Sequence, residues 1–467
     1  MIVNKELIID YLKSNQENII NDIRSLVEIP SIRDESTTDI NQPFGIEIRN
    51  AFDKLIQIAK DKDFVVKDFD GYAIHIEYGE GEEVVGVLNH IDVVPIYNKE
   101  LWKSKPFKVC QKDNYLYGRG VNDNKGPLIG ILYALLFLRE LNEKPKRKIR
   151  LIVGGAEETT WECMEHYFSV NEQPKFAFSP DGNFPIVNGE KGILYFNLRK
   201  KIDKDKFRNH NLVDIKSNKE DGFVCDKIEA VFKTNDKKDL VESLAYYTEI
   251  EELEEGKVLV RYTGERALSR NPHRSYNCAF SLAKDLEKIK KLNDKGVIIR
   301  DILNSYFTDD NHGKKLGIYK GDVDMGVSTI CIMSIFLEKN ELNMKIDFRY
   351  PKGISWEFIT NRINEIGKKE NLIVDIYKDL KLLYVKPDSE LINKLSSAYK
   401  QGFRKEAELF TKGAASYARV LKNGVAFGPT IEGDNPNSHQ ANENISIDTL
   451  YKAIEVYIYA LYSLAFQ

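Results

Sequence analysis

A chain of 467 residues exceeds a single average domain, so two domains are expected. It is 42% hydrophobic and 30% charged, the composition of a globular protein in water. Its 68 Lys+Arg against 72 Asp+Glu leave a net charge of -4 and no electrostatic case for a nucleic-acid partner. The longest apolar run, "ILYALLFL" from Ile131 to Leu138, is far short of the ~20 residues that span a bilayer, which argues against a membrane partner. The N-terminus lacks the apolar core of a signal peptide. Cys110, Cys163, Cys225, Cys278 and Cys331 are scattered and never form C-x-x-C, so reduced thiols and a cytoplasmic location are expected.

In chain order, "KELIIDYLKSNQENIINDIRSLVEI" has apolar residues at helical spacing and predicts an amphipathic helix. "YAIHIEYG" alternates as a strand does, and "VVGVLNH" is a short apolar run that fits a buried strand. "KGPLIGILYALLFLREL" is apolar nearly all round and predicts a buried helix, followed by the strand "RKIRLIVGG". This alternation predicts an α/β catalytic domain with a mostly parallel central sheet. From about Asn188 the pattern changes to alternating strands ("ILYFNLRKKI", "KVLVRYTGE", "LNMKIDFRY") separated by helices ("SYNCAFSLAKDLEKIKKL", "SWEFITNRINEIGKK"), an α+β insert. The tail returns to α/β style and ends in the helical "SIDTLYKAIEVYIYALYSLAF". The expected division is 1–187 and 385–467 for the catalytic domain, with 188–384 as the insert.

Polar residues at the ends of the apolar runs carry the chemistry, because ligands of open α/β sheets bind outside the carboxyl ends of the strands. These are His90 and Asp92 in "NHIDVVP", Asp123 in "GRGVNDNKGP", Glu157 and Glu158 in "GGAEETTW", Asp181 in "FSPDG" and His439 in "NPNSHQANE". Singly each has a plain reading: a packed histidine, an N-cap aspartate, an Asp-Gly turn, a solvated pair of glutamates. Together they form an imidazole-and-carboxylate set without thiolates, which suits zinc, manganese or cobalt in a hydrolytic site. One carboxylate beyond the ligands' need is the mark of a general base beside an activated water. His90 and Asp92 share one face of an extended segment, so Asp92 can hold the His90 ring by its second N–H. The adjacent glutamates point apart, so one can bind metal while the other faces substrate.

These residues resemble the co-catalytic metallopeptidase family of aminoacylases, glutamate carboxypeptidases and bacterial dipeptidases, most closely the PepV-type (Sapep-like) dipeptidases. The likeness runs in order through "NHIDVVP", "LYGRGVNDNKGP", "GGAEET", "FSPDGNFPIVNGEKG", "DFRYP", "YARVLKNGVAFGP" and "HQANE". It implies two divalent metal ions, zinc foremost, bridged by Asp123. One ion would also take His90 and Asp181, the other Glu158 and His439, with Glu157 as general base and Asp92 as the further catalytic residue that holds His90. It implies a cis Asp123–Asn124 peptide, a long lid domain within the catalytic domain, and a monomer. Arg349 resembles the lid arginine that meets the terminal carboxylate of a small peptide substrate, and Asn277 would also contact that substrate.

The chain departs from the family at "GERALSRNPHRSYN", where Leu268 replaces a histidine that helps stabilise the oxyanion and Ser275 replaces a glycine. Loss of one such donor costs about 10²–10³-fold in rate. His273 and Arg349 are candidates to replace it. Ala414, Ala415 and Ser416 stand where PepV-like enzymes have Gly-Gly-Thr, and Ala156 precedes the glutamate pair where an acidic residue is common. Three readings stay open: an active dipeptidase, an N-acyl amino acid deacylase, and a metal- and peptide-binding protein with impaired catalysis.

Overall fold

The computed structural model describes residues 3–203 and 205–467. Contacts divide the chain into two compact units, Met1–Gly189 with Leu383–Thr411 and Ala415–Gln467, and Glu190–Leu382 with Lys412–Ala414. Each unit has its own apolar core.

The first unit is built on a large mixed sheet. Its strand order is Val65–Phe69, Ala73–Tyr78, Lys148–Gly154, Val84–His90, Phe176–Ser179, Gly424–Ala426, Ile186–Glu190, Leu383–Tyr384. The central strands, from Lys148–Gly154 to Gly424–Ala426, run parallel, and the flanking pairs Val65–Phe69 with Ala73–Tyr78 and Gly424–Ala426 with Ile186–Glu190 are antiparallel. Parallel strands are covered on both faces, which is why the central strands read as apolar runs and not as alternations. The helix Lys125–Glu140 is buried along nearly its whole length between the helices Lys5–Val27 and Ile447–Ala465. Gly130 allows the approach, since a Cβ there would lie 3.1 Å from Ile454. Asn4 and Ser446 cap the two outer helices through their side chains.

The second unit holds two four-stranded antiparallel sheets. One has the order Thr329–Glu338, Glu341–Tyr350, Gly192–Lys201, Ile373–Leu380, and the other His210–Ser217, Lys227–Thr234, Lys257–Thr263, Glu249–Glu252. The helices Cys278–Lys288, Asp294–Tyr306 and Trp356–Glu370 bury their apolar faces in its core. The α/β domain is thus interrupted by an α+β insert. Among the described residues, no helix is long and apolar enough to cross a membrane.

Four histidines without a chemical pattern in sequence have local partners. His166 meets Asp70 at 3.0 Å, His210 meets Thr234 and Asp239, and His312 meets the Ser328 carbonyl. His75 is 4% exposed, with Nδ1 2.9 Å from the Tyr167 hydroxyl. Burial, aided by Arg150, lowers its pKa to about 4. The unfolded side chain titrates near 6.5. The unfolded state therefore takes up the proton first as pH falls, and the stability held by neutral His75 is complete above about pH 6.5 and lost towards pH 4. His75→Gln should flatten this acid limb by on the order of 2–3 kcal/mol in denaturant titrations run between those pH values.

Candidate active site

The parallel register brings three strand ends together. His90 pairs with Gly154, and Val87 pairs with Phe178 one residue short of Ser179. The segments His90–Asp92, Gly155–Glu158 and Pro180–Asp181 therefore leave the sheet at one edge. Gly154 and Gly155 let this edge close up. A Cβ on the first would lie 2.3 Å from the Tyr417 hydroxyl, and on the second 2.9 Å from the Phe44 ring.

Asp92 is 2% exposed and joins two of these segments. Its carboxylate accepts the N–H of Glu157 at 3.1 Å and of Glu158 at 3.0 Å. The His90 ring is held differently from the sequence expectation. Nδ1 lies 3.0 Å from the Asp92 backbone carbonyl and 3.5 Å from carboxylate Oδ1. The backbone makes the closer contact because the carboxylate is turned towards the glutamate turn. The Trp161 indole N–H donates to the Glu157 carbonyl at 2.6 Å. The Tyr417 ring packs edge-on against both His90 and Trp161.

Asp123 stands between the two histidines. Its Oδ1 is 3.0 Å from His90 Nε2, and its Oδ2 is 3.1 Å from His439 Nε2. His439 Nε2 is also 2.9 Å from Glu158 Oε1. Three donor groups each lie within 4.8 Å: His90, Asp123 and Asp181; Asp123, Glu158 and His439; His90, Glu157 and Glu158. All five expected metal ligands and the expected base thus fall in one cluster, and Asp123 belongs to two of the three groups. The Asp123–Asn124 peptide is cis.

The charges in this cluster are strongly coupled. Burial alone would lower the His90 pKa, but Asp123 and Asp92 outweigh it and hold it well above the usual imidazole range. Burial opposes protonation of His439 too, yet Asp123 and Glu158 push its pKa up to about 12. Burial, with Asp123 beside it, raises Glu158 to about 7. Burial and the charge of Asp181 raise Glu157 well above the ordinary carboxylate value. Each shift has the same origin: carboxylates crowded together and partly removed from water.

Three residues that build the site lie within the motifs of the sequence but were assigned no role there. Glu443 is fully buried, and its Oε1 accepts the N–H groups of Gly120, Asn122 and Asp123 at 3.0, 3.1 and 3.0 Å. Its Oε2 accepts from Arg119 at 2.6 Å. Asn124 donates to the Pro180 carbonyl at 2.9 Å and accepts from Asn89, tying the Asp123 loop to two strand ends. Arg119 and Glu443 are 324 positions apart, so no local pattern could pair them.

The expected substrate residues lie in the insert. Asn277 does not face a ligand: it is 3% exposed and caps the helix Cys278–Lys288. Its Nδ2 donates to the Ile332 carbonyl at 2.7 Å, and its Oδ1 accepts from Ala279 N–H, so the fold engages both ends of the amide. Arg349 is buried against Asp347 and Tyr195. His273 is exposed on the single 3-10 turn Pro272–Arg274. Leu268 is 38% exposed and pairs with Phe223 in an isolated bridge.

Residues 86–463 match the sequence pattern of peptidase family M20/M25/M40. The "Putative dipeptidase YtjP" of Bacillus subtilis (strain 168) is 32% identical over 461 residues, covering 96% of this chain and 98% of that protein. A similarly named protein of Staphylococcus aureus (strain USA300) is 31% identical over 462 residues, covering 97% and 98%. The crystal structure of aminoacylhistidine dipeptidase from Vibrio alginolyticus superposes with a TM-score of 0.60 at 14% identity over 96% of both chains. That of the dipeptidase Dug1p from Saccharomyces cerevisiae gives 0.59 at 13% identity over 98% of both. At such identities these two likenesses are likenesses of fold.

Glu443→Gln should leave buried Arg119 without its counter-charge, at a cost of about 3–5 kcal/mol. It should also loosen the Asp123 loop, with metal affinity falling by about 10–100-fold. Thermal unfolding and metal titration by calorimetry read the two effects separately.

Proposed function

This chain belongs to peptidase family M20/M25/M40 and is a metallopeptidase, and on that premise we propose that it hydrolyses dipeptides or short peptides with two divalent cations and Glu157 as general base. The observation that carries the reading is Asp123, whose two oxygens face different histidines. A carboxylate placed this way can serve two cations at once.

The donor set fits the ions. Glu158 Oε1 is buried and has His439 Nε2 2.9 Å away, so a carboxylate oxygen and an imidazole nitrogen converge where a cation could take the place of the proton between them. Four carboxylates and two imidazoles in one cluster need positive charge to remain together. His90, Asp123 and Asp181 would hold one ion, and Asp123, Glu158 and His439 the other. Borderline nitrogen donors beside oxygen donors suit zinc, with manganese and cobalt as alternatives. The ions supply the charge that polarises the scissile carbonyl and acidifies the attacking water.

Glu157 takes the proton from that water and returns it to the leaving amine. Its high proton affinity is the direction a base working near neutrality needs. Asp92 fixes the backbone from which Glu157 projects, and Trp161 pins the same residue's carbonyl. Asp92 thereby keeps the base and the ligand Glu158 in a constant relation.

A second reading, as an N-acyl amino acid deacylase or a poorly catalytic binding protein, is favoured by Leu268, which offers no hydrogen-bond donor. The protein loaded with Zn²⁺, Mn²⁺ or Co²⁺ should cleave dipeptides faster than N-acyl amino acids. Glu157→Gln should lower kcat by about 10²–10⁴-fold while calorimetry still finds two bound metals. Absence of turnover with every metal, despite two ions bound, would leave only the binding reading. The same reading includes a monomer in a reducing cytoplasm, supported by five unpaired thiols. Light scattering should give the mass of one chain.

A further inference from the structure

We propose that Lys125 and Ser31 make residues 26–31 a buried strap between the Asp123 loop and the Asp92 segment, and that this strap sets the cation position of Asp123, Glu158 and His439. The proposal rests on the two-cation reading above and assigns positioning residues to it.

Lys125 is the first residue of the helix Lys125–Glu140 and stands two positions after Asp123. It is 0% exposed, and its ammonium donates to the carbonyls of Leu26 at 3.0 Å and Ile29 at 2.8 Å. Both acceptors are backbone groups and not carboxylates. Burying an ammonium without a counter-charge in contact is costly, and the positive end of its own helix adds to the cost. Leu26 lies in the last turn of the helix Lys5–Val27, so the ammonium starts one helix and closes another. Capping does not explain it. The Leu26 carbonyl already accepts the N–H of Ile29 at 3.2 Å, and the Ile29 carbonyl that of Ser31 at 2.9 Å. What the lysine adds is a link across the fold.

Ser31 makes the other end of that link. It is 0% exposed, its hydroxyl donates to the Ile91 carbonyl at 2.7 Å, and its carbonyl accepts the N–H of Val93 at 3.0 Å. Ser31 therefore holds the residues on both sides of Asp92. Gly120 leaves room for the assembly. Its φ is +91°, and a Cβ there would lie 3.1 Å from Val93 and 3.2 Å from the Lys125 stem.

The two cation positions thus have separate anchors. Asn124 ties the Asp123 loop to Asn89 and to the Pro180 carbonyl, the neighbours of His90 and Asp181. Those residues belong to the first position. Glu158 takes its place from Asp92, which accepts its N–H at 3.0 Å. The route from Asp123 to Glu158 therefore runs through Lys125, residues 26–31 and Asp92. His90 also receives a contact from the Asp92 carbonyl, but it ends the strand Val84–His90, and the sheet register keeps it in place when the segment beyond loosens.

Two single-site backgrounds separate the cations in full-length protein. His439→Ala leaves the position of His90, Asp123 and Asp181, and Asp181→Ala leaves that of Asp123, Glu158 and His439. Each is titrated calorimetrically with Zn²⁺. Ser31→Ala should weaken the ion in the Asp181→Ala background by about tenfold or more, and in the His439→Ala background by less than about threefold. Lys125→Met should give the same pattern. The two changes together should cost no more than about threefold beyond the worse of them, because both act through one strap. If Lys125→Met does not fold, Ser31→Ala, which removes a single hydroxyl, decides. Equal weakening in both backgrounds, or no weakening in variants that melt like their parents, overturns the proposal alone. An otherwise unaltered protein that binds fewer than two ions overturns the two-cation reading and the proposal with it.

Discussion

The site depends on one carboxylate that touches neither expected metal position. Asp92 accepts two backbone N–H groups, from Glu157 and Glu158, and its own carbonyl holds the His90 ring. Hydrogen bonds to such a group contribute about 1.5–3 kcal/mol each. Their larger effect is geometric. The ladder between the two parallel strands continues past His90, with the N–H of Ile91 on the Gly154 carbonyl at 3.0 Å. Asp92 extends that register beyond the sheet, where no ladder remains to enforce it. A turn carrying two adjacent carboxylates would otherwise open under its own repulsion.

Asp123 needs a different anchor, because it sits on the loop before the buried helix and not at a strand end. Glu443 supplies it by taking the loop N–H groups of Gly120, Asn122 and Asp123 while Arg119 balances its charge. Asn124 then ties the loop to Pro180 and Asn89. Donors that must converge within a few ångströms are thus set by backbone contacts and not by flexible side chains. Preorganisation of this kind is what a site needs if binding is not to be weakened by the cost of ordering its ligands.

The periodic elements were legible in sequence because burial imposes the period. The helical spacing over Lys5–Val27, the all-round apolar Lys125–Glu140 and the alternation of Glu341–Tyr350 each follow from what the residues pack against. The positions of His90, Glu157, Glu158 and Asp181 were legible because each follows an apolar run, and those of Asp123 and His439 because their loops carry the motifs "LYGRGVNDNKGP" and "HQANE". Pairings across hundreds of residues were not, and Arg119 with Glu443 is the clearest instance. The orientation of Asp92 was not either, since spacing cannot tell a carbonyl from a carboxylate. Asn277 matched a motif, yet burial against Ile332 made it a cap. The Asp347–Arg349 pair lay within reach of pattern reasoning. Residues two apart on a strand share a face, so an acid placed there can neutralise the arginine beside it.

That pair and the pair Arg119–Glu443 act in the same way, each inside its own unit. In both, a buried acid and a buried base cancel, so the pair itself contributes little net charge. What the pair does is fix a neighbour: the Asp123 loop in one case, Ser269 in the other. Asp123 is left between His90 and His439 and beside further carboxylates. An uncompensated group can be kept in place only if something else carries the cost of ordering it, and a self-neutralised buried pair does so without answering its charge.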